Sequence, residues 1–288
     1  MKMMSRLISS LFCLSLVFAS SCYTEDPVDI PVNQVEPSTD EIDQFIQTEF
    51  VDKYGVAVRY RFVDRYVDPT RRVAPPRREL VQPILDFLLE YWIEPFLEVP
   101  NGEQFFKDHV PAEIVLIGSF IFNDDGTVVL GTADSGARIT LTEVNNIDET
   151  DPVWVSRQLG TIFHEFAHII HQRYNLPANF QQISPQGYTS LGSWFTLTDD
   201  EALRRGYVSP YATSTFNEDY AETAAFILFD KDFFDNYIEE ENCTTPACQE
   251  RNDGRLLIRQ KFNTVIEHFR QNTGVDLLEV RARIQEKL

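Results

Sequence analysis

The chain has 288 residues, 43% of them hydrophobic and 12% aromatic, and a formal net charge of −20 at pH 7. Its length and apolar fraction are those of one sizeable folded domain and exclude a mainly disordered chain. The excess of acidic residues argues against a nucleic-acid partner, and no basic patch that would hold anionic lipid is expected, so the charge also argues against electrostatic attachment to a membrane.

A secretory signal peptide is predicted over residues 1–21. Lys2 and Arg6 precede an apolar run that is too short to span a bilayer, and small residues follow directly before Cys22. That order resembles a bacterial lipobox, which implies that Cys22 becomes the lipid-carrying first residue of the mature protein. An ordinary signal peptide cut at nearly the same place is the alternative.

Residues 22–38 are rich in acids and prolines, so they predict a tether that holds a globular domain, residues 39–288, away from a membrane. The first half of this domain is predicted to mix helices and strands. Its elements are a helix over 38–55, a strand over 56–67, a long buried helix over 77–99 and three apolar β-type runs within 112–144. Asp125 and Gly126 give a hairpin signal between two of these runs, so a small antiparallel sheet is expected.

The second half is predicted to be mainly helical, around a central helix over 152–174 that is apolar on most sides and therefore buried. An aromatic-rich loop follows over 175–197. Within it, Trp194 is expected to pack in the core, with a place in a pocket wall as the alternative. The remaining predicted elements are a short helix that a capping box of Thr198 and Glu201 begins and Gly206 ends, a helix over 216–230 and two further helices.

Three of the five histidines lie within "HEFAHIIH", residues 164–171. His164 and His168 are four apart, so on a helix they share one face, and their neutral imidazoles suit Zn²⁺. Glu165 lies about 100° further around the helix, where it can reach a water molecule instead of the ion. This H-E-x-x-H pattern is typical of hydrolysis in which a glutamate takes a proton from zinc-activated water. A buried helix with two core histidines is the alternative.

A catalytic zinc site usually has three protein ligands and one open position. His171 lies near the same face, but one straight helix is not expected to place three ligands around one ion, so a packing or supporting role is predicted for it. His109 and His268 are available as third ligands. Glu218 and Glu222, four apart in "TFNEDYAETAAF", are the better candidates.

Each of these two glutamates also has another possible role. Thr215 and Glu218 have capping-box spacing, so Glu218 could instead close the start of a helix. Glu222 would be costly to bury without a partner, which favours a role in holding a ligand histidine or the helix itself.

The combination of HEFAH with a later N-E-D-Y-A-E resembles the gluzincin metallopeptidases, especially those with a lethal-factor-like catalytic domain. The resemblance implies that Glu218 is the third zinc ligand and that Glu222 is its supporting partner. It also implies that a tyrosine seven residues before the glutamate ligand stabilises the oxyanion, and Tyr211 has that spacing. Tyr207 is the alternative.

The whole chain is similar to the substrate import-associated zinc metallohydrolase lipoproteins, a zinc-binding metallopeptidase family linked with outer-membrane nutrient uptake. The similarity lies in the lipobox, the size, HEFAHIIHQ and N-E-D-x-A-E. It implies an outer-membrane lipoprotein of the bacterial cell envelope, periplasmic or surface-exposed. The implied partners are a peptide or protein substrate and a TonB-dependent import complex.

Two further expectations concern an edge strand and a disulfide. In zincins an edge strand above the metal helix pairs with an extended peptide, and residues 135–144 are the expected strand, with a purely structural strand as the alternative.

Cys243 and Cys248 are expected to form a disulfide in an oxidising compartment, because no histidine lies near them in the sequence to complete a metal site.

The sequence therefore predicts an α+β fold of zincin type, with a small antiparallel sheet, a central HExxH helix and a helical C-terminal half. Zn²⁺ is expected on His164, His168 and Glu218. Glu165 is expected to act as general base and then general acid in peptide hydrolysis, with Tyr211 at the oxyanion. The alternatives are a non-catalytic accessory lipoprotein of a transporter, which binds a nutrient, and a zinc hydrolase of a non-peptide substrate.

Overall fold

The computed structural model describes residues 38–68, 70–123, 128–129, 131–134, 137–189 and 193–288. The predicted signal peptide, the predicted lipidation site at Cys22 and the predicted tether up to residue 37 lie outside the described residues, as does the predicted turn at Asp125 and Gly126. Thr39–Leu288 forms one compact unit. Among the described helices, none is both long enough and apolar enough to cross a bilayer.

Helices dominate the described chain. In chain order they are α1 (Glu41–Ile46, a wider π-type turn at Gln47–Val51, then Asp52–Tyr54), α2 (Val81–Leu88, a π-type turn at Leu89–Ile93, then Glu94–Leu97), α3 (Gly102–His109), α4 (Pro152–Tyr174), α5 (Asp199–Arg204), α6 (Phe216–Phe229), α7 (Phe233–Tyr237), α8 (Pro246–Thr273) and α9 (Leu277–Lys287). Thr198 and Glu201 form the predicted capping box at the start of α5. The short helix α7 is an addition to the two closing helices that the sequence predicts.

The strands form two small sheets. In chain order they are β1 (Ala57–Arg59), β2 (Glu113–Leu116), β3 (Ile121–Phe122), β4 (Val128–Val129), β5 (Gly131–Asp134) and β6 (Arg138–Leu141). The larger sheet has the order β1-β2-β6-β5, while β3 and β4 form a separate antiparallel pair. In the larger sheet only β5 is antiparallel to its neighbour, so the sheet is mixed, where an antiparallel one is expected. The crossover through α2 and α3 is long enough to bring β1 and β2 together in parallel.

The structure corrects two predictions about strands. The described part of the strand predicted over 135–144 does not lie at an edge, because β6 pairs with β2 on one side and with β5 on the other. Among the described strands, β5 forms the edge on that side of the sheet. The strand predicted over 56–67 is much shorter than expected, because only Ala57–Arg59 pairs with a neighbouring strand.

The helix α4 forms the centre of the domain, packing against α6 and against β5 and β6. Phe166 on α4 is buried, and its ring contacts the rings of Trp92, Phe96 and Phe106. Burial of side chains of this size contributes about 1.5–3 kcal/mol each, so this aromatic cluster fixes α4 against the helices of the first half. The fold is α+β with a buried central helix, which confirms the predicted fold class.

Candidate active site

The centre of the candidate site is α4, and local sequence signals explain where this helix begins and ends. Asp151 accepts a hydrogen bond from the Val153 N–H at 2.9 Å, and Pro152 occupies the first turn, where its missing N–H leaves no bond unmade. Asn175 ends the helix with a positive φ of 56°. Because most of α4 is buried, its histidines and Glu165 are held on a rigid element.

Three donor atoms from α4 and α6 converge on one point. His164 Nε2 lies 3.0 Å from His168 Nε2, and Glu218 Oε2 lies 3.0 Å from the first and 3.1 Å from the second. The three ligand atoms all lie within 4.8 Å of one another. This spacing is compatible with one cation at ligand distances of about 2.0–2.2 Å. The structure thus brings the three predicted zinc ligands together.

The other ring nitrogen of each ligand histidine also has a partner. His164 Nδ1 lies 2.7 Å from Glu222 Oε1, and His168 Nδ1 lies 2.8 Å from His171 Nε2. With a proton on each Nδ1, both hydrogen bonds are made and both Nε2 lone pairs face the Glu218 carboxylate. Three electron-rich atoms at this separation repel one another unless a cation lies between them. The residues therefore fit Zn²⁺, which prefers imidazole and carboxylate donors.

His171 is a neutral neighbour that orients His168. Burial and the adjacent His168 lower the pKa of His171 to about 4, so its ring carries a single proton at neutral pH. Its Nε2 atom can then accept the Nδ1 proton of His168. The structure places His171 behind the candidate ligands, where its ring does not reach the point at which they converge.

Glu218 belongs to the first turn of α6. The Oγ1 atom of Thr215 accepts a hydrogen bond from the Glu218 N–H at 3.2 Å, but the Glu218 side chain is directed to the histidines instead of back to the cap. Burial alone would raise the pKa of the Glu218 carboxyl. While no cation is bound and the imidazoles of His164 and His168 carry protons on Nε2, their hydrogen bonds outweigh burial and hold this pKa well below its usual range. Glu218 therefore stays ionised at the cation site.

Glu222, one turn further along α6, links the ligands to a loop. Its Oε1 is the partner of His164, and its Oε2 accepts a hydrogen bond from the Ser209 hydroxyl at 2.5 Å. The Ser209 hydroxyl in turn accepts from the Ala212 N–H at 3.1 Å. Sequence reasoning missed Ser209, because no local pattern connects a loop serine with a glutamate on the following helix. This contact ties the loop that carries Tyr211 to the carboxylate behind His164.

Glu165 lines the cleft beside the three ligands, and only 7% of its surface is exposed. Among the described residues, none donates a hydrogen bond to its carboxylate. Burial raises the pKa of Glu165, while the neighbouring His164 and His168 act in the opposite direction. A carboxylate with a raised pKa and no protein donor is suited to exchange protons with water in the cleft.

The edge strand β5 comes very close to α4 at Gly131. A Cβ atom on Gly131 would lie 2.4 Å from Thr161 Cγ2 and 3.4 Å from Glu165 Cγ, so a larger residue does not fit between the strand and the helix. The start of β5 therefore lies directly against the HExxH segment.

The two candidate tyrosines occupy different environments. Tyr211 lines the cleft with 37% of its surface exposed, and its ring centre lies 5.7 Å from that of His164. Tyr207 is fully buried, and its hydroxyl donates to the Ser184 carbonyl at 2.6 Å. Burial and the nearby Glu218 raise the pKa of Tyr211, so its phenol keeps its proton and remains a donor. Only Tyr211 of the two is accessible from the cleft.

The other candidate ligands lie away from this cluster. His109 and His268 each hydrogen-bond to a tyrosine hydroxyl, at 2.6 Å and 2.7 Å. Cys243 and Cys248 form a disulfide shortly before and within the first turn of α8. None of these four side chains contributes to the group that could hold a metal ion.

A cleft of about 540 Å³ opens beside the three ligands. Trp194 is half-buried and lines it, with its ring centre 5.0 Å from that of Tyr211, so the expectation that Trp194 packs in the core is wrong. Trp194 and Phe195 line the cleft, whereas Phe180 of the same predicted loop is buried in the core. Sequence composition alone does not distinguish these two places for a tryptophan, because both are apolar.

Comparisons with known proteins identify a family and a similar crystal structure. Residues 35–278 match a family model described as "Putative zinc-binding metallo-peptidase". The chain is also similar to a crystal structure described as a putative zinc-binding metallo-peptidase from Bacteroides caccae, with 28% sequence identity and a TM-score of 0.68. That alignment covers 85% of this chain and 90% of the other. A search of curated proteins gives no significant match.

Proposed function

This chain belongs to the family of zinc-binding metallo-peptidases, and on that basis we propose that it hydrolyses peptide bonds by a gluzincin-type mechanism. The observation that carries the proposal is a three-ligand cation site beside Glu165, a buried carboxylate that receives no hydrogen bond from the described residues. A structural zinc site is usually closed by four protein ligands and needs no base next to it. A non-catalytic accessory role therefore accounts less well for these residues.

The ligand set and its partners form one unit. His164, His168 and Glu218 would hold Zn²⁺, and a bound Zn²⁺ supplies Lewis-acid chemistry that acidifies water and polarises a carbonyl group. Glu222 accepts the Nδ1 proton of His164, and His171 accepts that of His168. These contacts fix the tautomer of both rings, so that each presents its Nε2 lone pair to the cation.

The proton transfers are carried out by residues of the chain. A carboxylate oxygen of Glu165 takes a proton from the attacking water and then gives it to the leaving amine nitrogen as the C–N bond breaks. The Tyr211 hydroxyl donates a hydrogen bond to the carbonyl oxygen as this oxygen gains negative charge. An extended peptide would pair with the outer edge of β5 and so lie across the HExxH segment.

The decisive test combines metal content with cleavage of a broad peptide library, for the wild-type protein and for Glu165→Gln. We expect about one zinc per chain in both, and a loss of cleavage in the variant of roughly 10²–10⁴-fold. Glu79→Gln is the matched control, because Glu79 is exposed and distant in sequence from the candidate site residues. This variant should cleave peptides as the wild type does. Zinc without cleavage in either protein would favour a non-peptide substrate, and absence of zinc would contradict the proposal.

We also propose that the protein is a lipoprotein of the bacterial outer membrane, periplasmic or surface-exposed, that acts beside a TonB-dependent import complex. The support is the leader sequence with Cys22, the acidic tether and the resemblance to import-associated lipoproteins. Metabolic labelling with a radioactive fatty acid should mark the wild-type protein and not Cys22→Ser, and the variant should leave the membrane fraction. A transporter that co-purifies with the wild type from solubilised outer membranes would support the import role, and its absence would contradict it.

A further inference from the structure

Alongside polar residues that include Asn123, Ser156 and Thr161, the cleft beside Glu165 is lined by six apolar side chains. These are Val128, Val129, Trp194, Phe195, Phe226 and Phe229. The volume of about 540 Å³ lies within the usual range for ligand pockets, roughly 300–1000 Å³. Val128 and Phe195 are exposed at the mouth, and exposed apolar groups around a concave site mark a binding surface.

One wall of this cleft is continuous with the candidate zinc ligands. The ring of Tyr211 lies next to that of His164, with 5.7 Å between centres, and the ring of Trp194 lies next to that of Tyr211, with 5.0 Å between centres. A group bound against Trp194 is therefore close to the place where the scissile bond would be cleaved.

Another part of the cleft wall is shaped by Gly160, which has no side chain. Gly160 lies one turn before His164 on α4 and therefore on the same face. A Cβ atom on Gly160 would lie 3.2 Å from Phe229 Cε1 and 3.4 Å from Cζ, so the missing side chain lets the Phe229 ring rest against the helix backbone. The ring of Phe226, with its centre 5.0 Å from that of Phe229, extends the wall. Any side chain at position 160 would displace the Phe229 ring and change the size of the pocket.

The charged groups that line the cleft are mostly engaged already. Arg157 Nη1 donates to Glu143 Oε2 at 2.7 Å, and the Glu143 side chain is only 6% exposed, which makes this a protected ion pair. Glu222 is held by two hydrogen bonds. Apart from Glu165 beside the candidate cation site, the charged side chains of the described lining therefore already have partners within the protein and are not available to balance a charged substrate side chain, whose burial would be costly.

We propose that this pocket binds one large apolar side chain, of the leucine or phenylalanine type, on a substrate residue next to the scissile bond. The proposal rests on the proposed peptidase function, since it names the substrate class of the same site. Gly160 and Phe229 are the specificity-determining residues, because together they set how much room the apolar side chain has.

The test compares cleavage of a peptide library, read by mass spectrometry, among four proteins. The wild type should prefer leucine or phenylalanine over alanine, aspartate and lysine at one position, by roughly 10- to 200-fold in kcat/KM. Gly160→Ala should shift the preference toward smaller side chains, and Phe229→Ala toward bulkier ones. Phe216→Ala removes an exposed ring from the same helix outside the cleft and should leave the preference unchanged.

Binding in the Glu165→Gln background separates this proposal from the proposed function. Calorimetry with peptides that differ at a single residue should show tighter binding of the apolar members, shifted by both pocket substitutions. If the apolar peptides bind more tightly in this way but the wild type cleaves no peptide, the proposed apolar pocket is supported and the peptidase function is overturned. Cleavage with no apolar preference, or with a preference that neither pocket substitution shifts, overturns the pocket and leaves the function standing. If the protein neither binds nor cleaves these peptides, both proposals are overturned.

Discussion

Lys261 and Asp219 form an ion pair in which neither side chain is exposed to solvent, with Nζ 2.8 Å from Oδ2. Asp219 directly follows Glu218 on α6, while Lys261 belongs to α8. Lys261 also donates to the Gly206 carbonyl at 2.7 Å, and its Nζ lies 3.5 Å from the centre of the Tyr207 ring. The Lys261 ammonium group therefore connects α6, which carries the candidate zinc ligand Glu218, to α8 and to the start of the loop that leads to the site.

Replacement of Lys261 by methionine is expected to destabilise the fold by about 3–5 kcal/mol, because it leaves the Asp219 carboxylate buried without its counter-ion. Urea unfolding measures this cost. Lys231→Met, at an exposed position, is the matched control and should lose little stability. If both variants lose the same free energy of unfolding, the buried ion pair does not stabilise the fold more than an exposed lysine does.

The loss of folding stability in Lys261→Met should also depend on pH. Burial raises the pKa of Asp219 and Lys261 lowers it, so removing the lysine raises this pKa further above its unfolded value. A group whose pKa is raised by folding stabilises the protein below its unfolded pKa, and this contribution is lost as pH rises through the folded pKa. The deficit should therefore be larger near pH 7 than near pH 2, where the Asp219 carboxyl is protonated in both the folded and the unfolded state.

Removal of zinc is expected to lower the unfolding temperature. The three ligand atoms converge only in the folded chain, so zinc at roughly 1000 times its dissociation constant stabilises that state by about 4 kcal/mol. Calorimetry with and without a chelator measures the effect. His168→Ala should unfold at a low temperature with or without chelator, whereas Glu286→Gln, at an exposed site, should respond as the wild type does. A wild type that is indifferent to chelator would contradict zinc binding at this cluster.

The central helix shows how far local sequence determines this site. The sequence predicts a helix over 152–174, and α4 has these bounds, since Asp151 and Pro152 mark its start and Asn175 stops it. With the helix given, the spacing of the two histidines is enough to place both on one face. The glutamates of α6 can be proposed from their spacing and from the family resemblance, because both signals are contained within a few residues.

The parts that sequence does not predict depend on contacts between distant segments. β5 and not β6 forms the edge, because the order of strands in a sheet is set by tertiary packing and not by the composition of one strand. The contact of Ser209 with Glu222 and the pairing of Lys261 with Asp219 likewise join segments that have no shared periodicity. These contacts lie around the candidate ligands. The ligands themselves can therefore be predicted from the sequence, whereas the residues that hold them in place cannot.

His171→Phe is expected to weaken zinc binding by roughly 10- to 100-fold, because it removes the acceptor that holds the His168 ring in position. Competition with a chromophoric chelator gives the affinity directly. His109→Phe is the matched control, since His109 also hydrogen-bonds to a neighbouring side chain but lies outside the cluster. Equal zinc affinity in the wild type and His171→Phe would show that the contact does not orient the ligand.

Tyr211→Phe is expected to reduce kcat by roughly 10²–10³-fold with a small change in KM, because the lost hydroxyl acts mainly when the carbonyl oxygen gains charge. Steady-state kinetics on a cleaved peptide separates the two parameters. Tyr207→Phe should instead cost about 1 kcal/mol of stability, since its hydroxyl bonds to the Ser184 carbonyl, and should leave kcat near the wild-type value. The reverse pattern would assign the oxyanion to Tyr207.

Gly131→Ala is expected to impair cleavage because it displaces β5, the strand that lies next to the site. Its Cβ would lie 2.4 Å from Thr161 Cγ2 and 3.0 Å from the Thr140 carbonyl oxygen, so β5 has to move away from α4 at a cost of about 1–3 kcal/mol. Because Glu165 lies beside this contact, the displacement should lower kcat/KM for extended peptides while leaving zinc content unchanged.

The double variant Gly131→Ala with Thr161→Ala distinguishes displacement of the strand from general damage. Removing Cγ2 of Thr161 takes away the closest obstacle, so part of the lost activity should return, although the contact with the Thr140 carbonyl oxygen remains. Thr161→Ala alone gives the baseline, because it also removes a hydroxyl that donates to the Arg157 carbonyl at 2.8 Å. If the double variant is no more active than Gly131→Ala, the position of β5 against α4 does not govern cleavage, and peptide pairing along this edge would lose its main support.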